Sequence, residues 1–315
     1  VTAVTQSRYL VIGLGYLLGE MLSVKFYGVR GSFPSPGSST SFYGGNTSCV
    51  AIYDAESKNT EAVLLDAGTG GFSASKELFD RGVRKLHVLL SHLHLDHIQG
   101  LPFMNMLDSL ECEVIVYASK EYAPLEDVLA PVMSPPYFPV APKQRSATLN
   151  YLEVSKAFEL RGMGLEVVPF PITHSDPALG YRINAENASL VYLTDHQCGS
   201  DFHCVSDDLI QWGKGVDLLV HDAQYTSSEF ISKSNWGHST YEFAVDVAEK
   251  MQVKELIFFH HDPERSDVEL SEIVQGWKAA DRNFRISAAR EGLVVDMIRP
   301  SFAKALNSTS AITQG

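Results

Sequence analysis

Three histidines and an aspartate fall within six positions, His92-Leu93-His94-Leu95-Asp96-His97, directly after Ser91. An apolar run from Leu86 to Leu90 leads into them and predicts a buried strand. A strand that runs into such a cluster puts the polar side chains on a loop at the end of a rigid element, where a metal can be held without disturbing the core. Imidazole nitrogen and carboxylate oxygen together suit zinc, manganese or iron better than calcium or magnesium. His92 and His94 can face one ion from alternate positions, and Asp96 and His97 are offset enough to meet a second.

The same arrangement recurs along the chain. Leu165 to Phe170 and Leu179 to Ile183 predict strands, with Thr173-His174-Ser175 on the loop between them. Leu190 to Leu193 runs into Thr194-Asp195, Leu218 to Val220 into His221-Asp222, and Leu256 to Phe259 into His260-His261-Asp262. Upstream, Val24 to Val29, Cys49 to Tyr53 and Ala62 to Leu65 also read as strands, the last ending at Asp66, which is placed to orient a histidine ligand. Helices are expected over Ser73–Arg81, Ile98–Leu110 (its first turn carrying ligands), Pro124–Leu129, Tyr241–Met251 and Glu269–Ala280, and Val114–Tyr117 and Gly292–Met297 complete the strands. Strands alternating with helices make the class α/β. The strand-end donors are then His92, His94, Asp96, His97, His174, Asp195 and His260, enough for two ions if one carboxylate is shared.

The chain resembles the metallo-β-lactamase fold superfamily through Ser91–His97 followed by the isolated His174, Asp195 and His260. It is more narrowly similar to the phosphodiesterase branch, which includes tRNA 3′-end endoribonucleases and bacterial cyclic-nucleotide phosphodiesterases. Gly28-Val29-Arg30-Gly31-Ser32, Tyr43 to Ser48, Gly237-His238-Ser239-Thr240 and Phe259 to Pro263 carry that match, and the likeness spans roughly residues 22–298. The resemblance implies a four-layer αβ/βα sandwich, two mixed sheets with helices outside. It implies His92, His94 and His174 on one divalent ion, Asp96, His97 and His260 on the other, and Asp195 bridging. Zinc is expected first, with manganese or iron(II) as alternatives. The resemblance makes His238 the non-ligand histidine at the scissile phosphate and, with Asp96, a catalytic residue. His260 is preferred to His261 because the ligand directly follows the strand. Of the extra histidines, His196, His203 and His221, the last is the best candidate to support the ligands.

Small phosphodiesters such as cyclic nucleotides are the expected substrates, cleaved by a metal-bridging hydroxide. Trp236, Tyr225 and the Tyr137-Phe138 pair, on a proline-rich excursion over 131–145, could stack on a base. A tRNA-processing nuclease is the alternative, and a lactone, thioester or β-lactam hydrolase would use the same donors. The formal net charge of −13 argues against a stable nucleic-acid partner, which needs clustered Lys and Arg. Four cysteines without C-x-x-C spacing suggest a cytoplasmic protein, and the apolar residues 9–19 are too short to span a bilayer. Residues 1–21 read as a leader or extension, 22–298 as the metallo-hydrolase domain and 299–315 as a flexible tail. A homodimer is expected, with no membrane partner.

Overall fold

In β5 (Lys85–Leu89) and the residue after it, Leu86, Val88 and Leu90 pack to one side and Leu89 to the other. In β13 (Glu255–Phe259), Leu256 and Phe258 face one way and Ile257 and Phe259 the other. Strands apolar on both faces must be covered on both, and the computed structural model shows how. It describes residues 8–11, 21–55, 59–199, 204–279 and 281–298.

Among these residues two mixed sheets are formed. The first holds β1 (Arg8–Val11), β2 (Met21–Gly28), β3 (Cys49–Asp54), β4 (Glu61–Leu65), β5, β6 (Glu113–Ser119), β7 (Thr148–Val154) and the late β15 (Val294–Ile298), in the order β1-β15-β2-β3-β4-β5-β6-β7. The second holds β8 (Phe158–Leu160), β9 (Leu165–Ile172), β10 (Ala178–Asn184), β11 (Ser189–Leu193), β12 (Leu218–Asp222), β13 and β14 (Arg285–Ala288), in the order β14-β13-β12-β11-β10-β9-β8. Val24, Phe26, Ile52 and Leu65 of the first meet Val167, Tyr181, Tyr192, Val220 and Phe259 of the second in a dry inner layer. Each large apolar side chain so buried contributes about 1.5–3 kcal/mol, so this layer can carry a polar centre at its edge.

Helices cover the outer faces. α1 (Gly71–Asp80) lays Ala74 and Leu78 on the first sheet, and α3 (Leu125–Val132) adds Leu125 and Leu129 there. α4 (Asp207–Gly213), α5 (Ser227–Lys233), α6 (Tyr241–Met251) and α7 (Asp267–Lys278) pack on the second. Thr240 caps α6 by accepting from the Phe243 amide, and Ser266 with Glu269 forms a capping box on α7. The expected four-layer sandwich is the observed architecture.

One sequence reading meets a different outcome. The helix expected over 98–110 is instead α2 (Leu95–Ile98) followed by 3-10 turns at Leu101–Phe103 and Asn105–Asp108. Pro102 supplies no amide for an α-helical bond there. Arg8–Val11, inside the segment read as a leader, pairs parallel with β15. Residues 1–7, 12–20 and the tail 299–315 lie outside the described residues. No helix among the described residues is long and apolar enough to cross a membrane.

Candidate metal centre

β4, β5 and β6 run parallel, as do β11, β12 and β13, and their registers put strand ends side by side: Leu65 opposite Leu89, Leu193 opposite His221, Asp222 opposite Phe259. The residues that follow these ends gather at one edge of the sandwich. Three of them, Asp66, Asp195 and His260, hold left-handed backbone with φ of 56°, 50° and 57°. That region disfavours side chains larger than glycine by roughly 1–2 kcal/mol, and such residues cluster where a function holds them in place.

Two donor groups result, and a third overlaps them, in which Asp222 and His238 join Asp195 and His260. His92, His94 and His174 converge in one, and Asp96, His97, Asp195 and His260 in the other, with ligand atoms within 4.8 Å of one another in each. Asp195 lies between them. Its Oδ2 is 3.1 Å from His97 Nε2 and 3.1 Å from His260 Nε2, while Oδ1 is 3.8 Å from His92 Nε2. Asp96 Oδ2 is 3.2 Å from His97 Nε2 and 3.3 Å from His260 Nε2, and accepts the Ser32 amide at 2.7 Å.

The outward partners fix each ring's tautomer. His97 Nδ1 donates to Asp66 Oδ2 at 2.8 Å, His260 Nδ1 to Gln224 Oε1 at 2.9 Å, and His174 Nδ1 to the Gly237 carbonyl at 3.0 Å. Ser91 donates its hydroxyl to Asp66 and accepts from His92 Nδ1 at 3.0 Å, so one carboxylate orients two histidines. Each Nε2 then carries a lone pair aimed at the other donors. The Nε2 atoms of His92 and His97 are buried without a hydrogen-bond partner. Lone pairs facing carboxylates in a dry site are repulsive unless a cation lies between them, so the residues fit divalent metal. Where no cation lies among them, the carboxylates draw protons onto the rings instead. Burial disfavours a charged His97, yet Asp195, Asp96 and Asp66 raise its pKa well above the ordinary value. Burial likewise works against ionised Asp96 and Asp195, but the surrounding imidazoles hold both well below the carboxylate range. Burial and the neighbouring His97 push His92 down, toward the neutral form that ligates.

Residues 61–261 match the beta-lactamase superfamily domain, nearly two thirds of the chain. The chain belongs to the beta-lactamase superfamily. It is a metal-dependent hydrolase of that superfamily. It is 24% identical over 280 residues to a ribonuclease Z of Parabacteroides distasonis, covering 71% of this chain and 88% of that one. It is 23% identical over 253 residues to a zinc phosphodiesterase ELAC protein 2 homolog of Caenorhabditis elegans, covering 67% of this chain but 30% of that protein's length. Among solved structures it is similar to human tRNase Z, short form, at 19% identity and a TM-score of 0.59, covering 89% of this chain and 100% of the other. A diphosphatase from the PhnP family gives 21% identity and a TM-score of 0.61, covering 87% and 96%. These likenesses establish the fold.

Beside Asp195 and His260 sits His238, whose Nδ1 donates to Asp222 Oδ2 at 3.0 Å and lies 3.7 Å from Asp195 Oδ1. Burial opposes its charged form, but Asp222, with Asp195 and Asp96, outweighs burial and raises its pKa. Asp222 also accepts the amides of Gln224 and Ser239, both at 3.1 Å, which fixes the loop carrying His238. The residue expected in that supporting place was His221. It points the other way, its Nε2 3.4 Å from His196 Nδ1 and its ring against Phe243. Burial lowers its pKa to about 4. His261 is likewise apart from the donors: its Nε2 donates to the Ala289 carbonyl at 2.9 Å, and burial, with Arg30 nearby, lowers it to about 3. Tyr225 is fully buried, edge-on to His238 at 5.8 Å, so its ring supports that histidine rather than offering a face to a base. Trp236 is exposed, with Lys233 over its ring at 5.4 Å. Tyr137 is exposed and Phe138 packs against Phe103. His203 lies outside the described residues. Sequence reading passed over Asp222, Gln224, Ser91 and Asp176, the last accepting from His94 Nε2 at 2.9 Å.

Proposed function

We propose that the chain is a metal-dependent phosphodiesterase acting on small phosphodiesters, with cyclic nucleotides the first class to try. The observation that carries this reading is the Asp222–His238 pair, which adjoins Asp195 and His260 but has its histidine Nδ1 committed to Asp222. With Nδ1 committed to Asp222, His238 presents Nε2 as its remaining donor, as general-acid chemistry requires. Alkoxides are poor leaving groups, so a fixed proton donor matters more for a sugar phosphodiester than for a strained lactam.

Divalent cations held by five imidazoles and two carboxylates would supply water activated near neutral pH and neutralise phosphoryl charge. Zinc is the cation we put first for this donor set, ahead of manganese and iron(II). Water oxygen bonds to phosphorus, the phosphorus–oxygen bond to the leaving alkoxide breaks, and His238 delivers a proton to that alkoxide. Asp96, held by the Ser32 amide, takes the proton lost by the water. Asp222 keeps the His238 ring from rotating out of line.

The ribonuclease Z relatives support a second reading, tRNA 3′ processing, which would use the same residues. The net charge of −13 favours the small substrate, and the partners we propose are that substrate and a second copy of the chain. Four unpaired cysteines suit the cytoplasm, the location we propose. One experiment tests the assignment: zinc- or manganese-loaded protein is assayed side by side on an aryl phosphodiester, cyclic nucleotides, precursor tRNA and a lactone. Preference for the phosphodiesters by kcat/KM supports the proposal; preference for tRNA or the lactone replaces it.

A further inference from the structure

The two donor groups are built from unequal materials. The one with Asp96, His97, Asp195 and His260 is buried throughout and carries two carboxylates. The one with His92, His94 and His174 has three imidazole rings and no carboxylate, and of these only His92 is fully buried. His94 is its exposed corner, with 43% of its side chain open to water. A half-exposed ring ligates well only if something holds its rotamer and tautomer.

Asp176 does both. Its Oδ2 accepts from His94 Nε2 at 2.9 Å and from the Ser175 hydroxyl at 3.1 Å. A proton on Nε2 leaves the lone pair on Nδ1, and Nδ1 is the atom 3.3 Å from His174 Nε2. His174 in turn has its proton on Nδ1, toward Gly237. Two lone pairs therefore face each other across a gap that His92 Nε2 also borders, an arrangement that a cation relieves. The loop that carries Asp176 is fastened from the far side, because Tyr122 donates to the Pro177 carbonyl at 2.7 Å. The hydrogen bond of Asp176 into the donor groups goes to His94, with a weaker charge interaction reaching His174, so its effect passes mainly through His94.

We propose that Asp176 is a positioning residue: it holds His94 in its ligand geometry and thereby sets how tightly the exposed half of the centre keeps its cation. This rests on the metal reading of the site and is independent of which ester is cleaved. The two cations load in two steps, the buried half first. Outer partners of metal-bound histidines typically change affinity by about 10- to 100-fold, and an exposed pair belongs at the low end, about tenfold.

The test is a zinc titration of the metal-stripped full chain in competition with a chromophoric chelator, with bound metal counted by elemental analysis. Wild type is expected to show two affinities. Asp176→Ala should weaken only the lower one, about tenfold, with the melting temperature of the stripped protein unchanged. Asp176→Asn, whose amide oxygen still accepts from Nε2, should recover most of the loss. Equal weakening of both steps, no change in either, or no rescue by Asn would overturn the proposal. A wild type that binds no zinc would overturn it together with the metal reading, whereas normal two-step binding without phosphodiesterase activity would leave it standing.

Discussion

Replacing Asp66 by Asn tests the scaffold beneath the ligands. The carboxylate is fully buried, and it accepts from the Ser91 amide at 2.7 Å, the Tyr192 hydroxyl at 2.8 Å and His97 Nδ1 at 2.8 Å, as well as from the Ser91 hydroxyl. Asn tolerates the left-handed backbone at this position, so the change isolates hydrogen bonding from strain. One oxygen survives. If it stays on Ser91, the new amide N–H group faces Tyr192 and His97. Tyr192 can rotate its hydroxyl and accept. His97 cannot rotate away, and must move its proton from Nδ1 to Nε2, where a ligand lone pair is needed. Losing one or two charge-assisted bonds corresponds to about 2–4 kcal/mol of stability. Metal affinity should fall about 10- to 100-fold through the wrong tautomer. Denaturant unfolding of the stripped protein reads the first number, and zinc competition reads the second. If the Asp66→Asn protein unfolds within about 0.5 kcal/mol of wild type and binds zinc equally well, the tautomer argument is wrong.

His238→Ala should reduce kcat by about 100- to 10,000-fold while metal content stays at the wild-type level, measured on the same preparation. Asp222→Asn should lower kcat in the same way, and the double variant should be little worse than either single one, because the two residues act as a unit. Gly237→Ala would set a Cβ inside contact distance of the His174 ring at a φ of 91°, so elemental analysis should find bound metal reduced. Burial alone would raise the Glu229 pKa, but Arg265 and Thr226 hold it down to about 2. A depressed folded pKa stabilises above the unfolded value of about 4.3 and is lost as pH falls toward about 2. Glu229→Gln should therefore lose less stability than wild type as pH falls through that window, followed by denaturant midpoints.

The local part of the centre is legible in the chain because His92 to His97 are neighbours in sequence and a single loop carries them. The distant donors are legible because parallel strands in register end together, so a polar residue after each apolar run must meet its counterparts. Asp222 was open to the same reasoning but requires the alternation to be followed to its end. Leu218 and Val220 face the inner layer and Leu219 faces the helices, so Asp222 falls on the inner side and His221 on the outer. His260 breaks that rule. Phe259 is inward, which would send His261 inward as well, but the left-handed turn at His260 reverses the alternation. Backbone handedness at a histidine has no signature in the sequence. Nor does the edge strand β7, half exposed along its length, where apolar runs are too short to announce it.

The left-handed residues after β4, β11 and β13 also say something about how this fold would decay. Asp66, Asp195 and His260 each sit where glycine would rest more comfortably. A lineage released from catalysis could therefore gain conformational ease at the very positions that the proposed chemistry depends on. Drift toward glycine at those three corners would be the mark of a descendant that kept the architecture and gave up the chemistry.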